Sequence, residues 1–94
     1  MDYMLDTLKR NLYEVNFSFP SHTVGNVYLT SFKLPFAPLE VKVAAAREIE
    51  KCGNSKEFMQ MVESWSNGRA VRPKVMTSVS DNDLIDVNLL LWVK

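Results

Sequence analysis

The sequence predicts a small α+β domain with an antiparallel or mixed sheet of about four strands in two hairpins. A central helix pair packs on one face, in the order α-ββ-αα-ββ. Three observations predict it. Apolar and polar residues alternate near the start and at the end of the chain, the spacing of half-buried strands. Apolar residues recur at helical spacing on both sides of Cys52-Gly53-Asn54. Proline-, glycine- and Asx-rich stretches separate these segments. Residues 1–94 then form one globular domain, with no internal repeat or linker.

Residues 2–11 read as a short helix capped by Asp2, with Met4, Leu5, Leu8 and Leu12 on one side. Tyr13–Phe19 is the clearest strand: Tyr13, Val15, Phe17 and Phe19 share a face and the residues between them are polar. After the turn-rich Pro20–Asn26, residues 27–34 form a second strand with Tyr28, Phe32 and Leu34 on one face. Pro38 suits the first position of a helix whose stripe is Val41, Ala45, Ile49 and Cys52. Gly53 is placed to end it in a left-handed cap, and Asn54 to cap the next helix with Glu57 in a capping box. Phe58, Met61, Val62 and Trp65 form that helix's buried stripe, and Asn67-Gly68 stops it. A second hairpin follows, with Val75, Thr77 and Val79 alternating before the turn Ser80–Asp83. In the last strand Ile85, Val87, Leu89, Leu91 and Val93 share a face, while the other begins polar and ends at Leu90 and Trp92. A strand apolar on both sides near its end belongs at the centre of a sheet. The N-terminal helix or a partner chain would cover its second side.

Composition removes several classes of function. Eleven basic and eleven acidic residues cancel, so no net field draws polyanions to the chain. Cys52 is alone, which forbids an intrachain disulfide and fits a reducing compartment. The acidic opening is not a signal peptide, and no apolar run reaches the roughly 20 residues of a membrane helix. A complete, cytoplasmic gene product with no membrane association is the expectation.

No catalytic constellation stands out. Cys52 lies on an apolar stripe at a helix C-terminus, where the dipole disfavours a thiolate, and His22 is the only histidine. One His and one Cys cannot make a zinc tetrad, and Asp81, Asp83 and Asp86 have turn rather than calcium-loop spacing. The three glycines are scattered and form no phosphate loop, so no cofactor is expected. The expectation is a protein that is not an enzyme.

Two binding surfaces remain. Residues 67–74 gather Arg69, Arg72 and Lys74 without an intervening acid, just past Trp65, a loop able to meet nucleic-acid phosphates. The element order resembles the KH arrangement in which a helix pair follows two strands, a family that clamps RNA with a GXXG loop. Here the corresponding loop is Gly53-Asn54-Ser55-Lys56, without the second glycine, and the resemblance extends to topology alone. The leading expectation is protein–protein contact by an adaptor or inhibitor, including self-association as a homo-oligomer. Met59, which is off the helical stripe, Phe36, between two prolines, and Trp92 are its candidate contact residues.

Overall fold

The computed structural model describes residues 2–16, 24–80 and 83–93. Its elements are α1 (Asp2–Tyr13), β1 (Val24–Lys33), α2 (Leu39–Gly53), α3 (Lys56–Trp65), β2 (Val71–Val79) and β3 (Leu84–Val93). The strands form one antiparallel sheet in the order β1-β3-β2. The class is α+β as expected, but one strand rather than two precedes the helix pair among the described residues. The order of the described elements is therefore α-β-αα-ββ, which differs from the KH arrangement compared above.

The missing strand is the one expected over residues 13–19. Leu8 and Leu12, one turn apart on α1, are both fully buried, and this packing carries the helix through Tyr13. The N–H groups of Glu14 and Val15 then donate to the carbonyls of Asn11 and Leu12, closing the helix in a tight last turn. Trp65 on α3 donates its indole N–H to the Val15 carbonyl at 2.8 Å, holding the exit of α1 against α3. Tyr13 is thus an exposed helical residue. Phe17 and Phe19 lie outside the described residues.

The helix pair forms where expected, with its junction rearranged. Pro38 stands one residue before α2 in extended conformation. The buried stripe of α2 is Ala46, Ile49 and Gly53, with Ala45 and Cys52 beside it and Val41 turned to solvent. Gly53 is the last residue of α2 and is not left-handed; among the described glycines only Gly68 has a positive φ. Its role is close approach, since a Cβ there would lie 2.6 Å from Val75 Cγ2. Ser55, not Asn54, caps α3 by accepting from the Phe58 N–H at 3.3 Å. Phe58, Val62 and Trp65 are buried as expected, with Met61 against the core. Left-handed Asn67 and Gly68 end the element.

In β1 the expected face is broken. Tyr28 pairs with Asn88 and Thr30 with Val87, so Leu29 is an extra residue, a β-bulge. Before the bulge Gly25, Val27 and Leu29 face inward and Tyr28 outward; beyond it Phe32 and Leu34 pack against the core. One extra residue reverses which side chains are buried.

The central strand is β3, as its two-sided pattern predicts. Ile85, Val87, Leu89 and Leu91 are fully buried in the core the strand shares with the helices, of which α2 lies directly against it. The free edge of β2 is sealed by α2. Asn54 accepts from the Val75 N–H at 3.0 Å and donates to the Val75 carbonyl at 3.2 Å. Glu50 Oε2 accepts from the Thr77 N–H at 3.0 Å and from its hydroxyl at 2.7 Å. Pro73, two residues before Val75, faces the same edge and has no N–H to satisfy. Helix α1 joins the helical layer, so the second face of the sheet has no helix over it among the described residues.

Candidate docking surface

The helix-free face is built from alternate residues of the three strands, and the pairing register sets its rows. Val24, Trp92 and Arg72 form the first; Asn26, Leu90 and Lys74 the second; Tyr28, Asn88 and Met76 the third; Ser31, Asp86 and Ser78 the fourth. Val24 and Tyr28 are more than half exposed, Met76 is exposed, and Leu90 and Trp92 are half-buried. One end of the face is therefore apolar and cationic. The other is polar, where Ser31 donates to Asp86 at 2.5 Å and shares a hydrogen bond with the Tyr28 hydroxyl. A shallow depression of about 290 Å³ lies between Trp92 and the Arg72–Lys74 segment.

This face unites three of the six residues expected to bind. Arg72 and Lys74 are strand residues because β2 begins at Val71, earlier than the expected loop allowed. Strand alternation puts both on the side that carries Trp92, with Arg72 directly opposite it. Arg69 is exposed in the connection before β2. Met59 is half-buried on α3, in the helical layer. Phe36 follows β1 at the end of the sheet away from Trp92.

Phe36 is 97% exposed and left-handed, with φ 62°, a conformation that bulky residues seldom adopt. Its turn is held by Asp83, the residue before β3. Lys42 donates to Asp83 Oδ1 at 2.6 Å, and the Phe36 main chain hydrogen-bonds to Asp83. The Lys42 hydrogen bond holds the Asp83 carboxyl below the ordinary aspartate range against the opposing effect of desolvation, with lesser help from the Lys42 charge, the Phe36 main chain and Lys33.

Tyr28, Val24 and Leu90 belong to the surface and were not among the expected contacts. Tyr28 reads as core unless the bulge is known. The polar residue opposite it, Asn88, is the one signal of its exposure. Cys52 is half-buried at the end of α2, and His22 lies outside the described residues. No group of three His, Cys, Asp or Glu side chains able to hold a metal occurs among the described residues. The Gly53–Lys56 turn is committed to β2 through Gly53 and Asn54. No described helix is long and apolar enough to cross a membrane.

No protein-family model, curated protein or solved structure matches the chain.

Proposed function

We propose that this chain is a non-enzymatic cytoplasmic binding protein of adaptor or regulatory type. It docks a protein partner on the helix-free face of its sheet, with no cofactor and no membrane association. The observation that carries this reading is the grouping of Val24, Tyr28, Met76, Leu90 and Trp92 on one surface that no helix covers among the described residues. Clustered apolar groups of this kind mark interaction sites more often than scattered ones. Arg72 and Lys74 border it on one side, so the complementary surface is apolar with acidic side chains at its rim. A partner retained from native lysate by the wild-type chain and lost by the Trp92→Glu, Met76→Glu double variant supports the reading. Equal retention by both overturns it. Light scattering separates self-association on this face from binding of another protein.

A second reading follows from the cations flanking an aromatic. Arg72 and Lys74 beside Trp92 suit a single-stranded nucleic acid, with phosphates on the cations and a base on the ring. It predicts binding to an oligonucleotide that weakens steeply with salt, with a slope reduced by removing the charges at Arg69, Arg72 and Lys74. No complex at low salt ends it.

A further inference from the structure

The two edges of the sheet are treated differently. On β2, Asn54 occupies both outward main-chain groups of Val75, Glu50 accepts from the Thr77 N–H, and Pro73 has no donor. On β1 no strand pairs with the outward edge among the described residues. The Leu34 N–H donates across to the Asp83 carbonyl at 2.8 Å. Antiparallel pairing alternates, so the N–H and C=O groups of Ser31 and Lys33 point away from β3.

These groups border a cleft of about 520 Å³ between α1, β1 and α2. All five residues from Thr30 to Leu34 line it. Strand side chains alternate between faces, so consecutive lining means the cleft runs along the main-chain edge. Its apolar part comes from Met4, Phe32, Ala45, Ile49 and Ile85. Among the described residues its only charged lining groups are cations, Arg10 and Lys33; neither forms a contact ion pair, and Lys33 acts on Asp83 only as a lesser electrostatic neighbour. An unpaired strand edge beside a helix, with an apolar floor, is the geometry that accepts an added strand.

We infer that the cleft between α1 and β1 binds an extended acidic–apolar peptide segment of a partner, which adds as a fourth strand to the edge of β1 at Ser31 and Lys33. Alternate apolar side chains of the segment enter the cleft; its carboxylates, on the opposite side of the added strand, meet Lys33, and the charge of Arg10 on the cleft wall attracts the segment as a whole. A second copy of this chain is the poorer occupant, because β1 pairing with its counterpart would place Lys33 and Arg10 of both copies on one seam. This site uses the main-chain edge of β1 at the end of the sheet away from Trp92 and does not depend on the apolar end of the helix-free face.

The test uses the full chain and a panel of fluorescein-labelled hexapeptides alternating apolar and acidic residues. A matching panel with lysine in place of the acids, and one N-methylated at alternate amides, serve as controls. The expected result is anisotropy-detected binding of acidic members only, weakened about tenfold or more by Arg10→Glu and lost on N-methylation. Hydrogen exchange should slow at the Ser31 and Lys33 amides when the peptide is bound, and the Trp92→Glu, Met76→Glu variant should bind it unchanged. No acidic member binding below about 1 mM overturns the proposal. So does binding that leaves those two amides unprotected, or protection that rises with protein concentration in the absence of peptide, which would assign the edge to a second copy.

Discussion

The two faces of β3 differ in what their residues are asked to do. Ile85, Val87, Leu89 and Leu91 are fully buried beneath the helices, whereas Asp86, Asn88, Leu90 and Trp92 remain half-exposed on the other side. Both faces of its second half are apolar, yet among the described residues only one has a cover. The buried face explains the fold; the apolar end of the open face has no folding role of that size. The difference teaches that hydrophobicity along a central strand can be divided residue by residue between stability and recognition.

Two neighbouring leucines give the largest test of that division. Leu89→Ala removes a fully buried side chain from the centre of the core and should cost about 2–5 kcal/mol in denaturant unfolding. Leu90→Ala, on the half-exposed face, should cost under about 1.5 kcal/mol, because less surface is returned to water. Equal losses would mean that the second face is packed against something in the folded chain, and the comparison would break.

Next in size is the contact that lets α2 seal the β2 edge. In Gly53→Ala the new methyl would meet Val75 Cγ2, Cγ1 and Cβ at 2.6, 2.7 and 2.8 Å. These atoms belong to a short branched side chain that cannot swing aside, so α2 must lift from β2. A loss of about 1–3 kcal/mol in unfolding free energy is expected, as for other overpacked sites. The lift also pulls Asn54 from Val75, so faster hydrogen exchange at the Val75 amide should accompany the loss. Exposed surface rather than core is probed by Phe36. Phe36→Gly relieves a left-handed backbone at a residue with almost no burial, and should stabilise the chain by about 1 kcal/mol after glycine's greater unfolded-state entropy. If partner retention is unchanged in this variant, exposure alone does not mark a docking residue and the sheet face stands by itself.

Much of this division was readable in the residues. The central place of β3 followed from its two-sided apolar end, and the helix pair from stripes and stop signals that agreed. Three features were not readable, each for a physical reason. Tyr13 fits both a period of two and the end of a helix, and the burial of Leu8 and Leu12 that decides between them is a tertiary effect. The bulge at Leu29 reverses the faces of β1, and it exists only through pairing with β3. Gly53 and Asn54 look like cap residues because caps are the commonest use of those residue types; their use against Val75 depends on a strand residue 21 positions beyond Asn54. The same limit applied to the surface. Arg72, Lys74 and Trp92 were recognisable as candidates, but only the register of β2 with β3 joins them on one face with Val24 and Tyr28.

The smallest expected effect concerns the opposite end of the sheet, where Asp83 holds the Phe36 turn. Its carboxylate accepts from Lys42, and with the Phe36 main chain and Lys33 nearby its pKa lies below the ordinary value. In the unfolded chain Asp83 takes up a proton near the ordinary aspartate value of about 3.9, while in the folded chain it stays ionised to lower pH. The stabilisation is therefore complete above that value and is lost as pH falls through the lowered one. Asp83→Asn keeps a residue tolerant of its left-handed backbone, φ 60°, and removes only the charge. The difference in stability between wild type and variant should be constant from neutral pH down to about 5 and shrink on further acidification. A difference that does not change across that range would show that Lys42 contributes through packing rather than charge. Because Phe36 lies at the end of the sheet away from Trp92, partner binding on the helix-free face should survive this substitution, and its loss would extend the docking surface to the Phe36 turn.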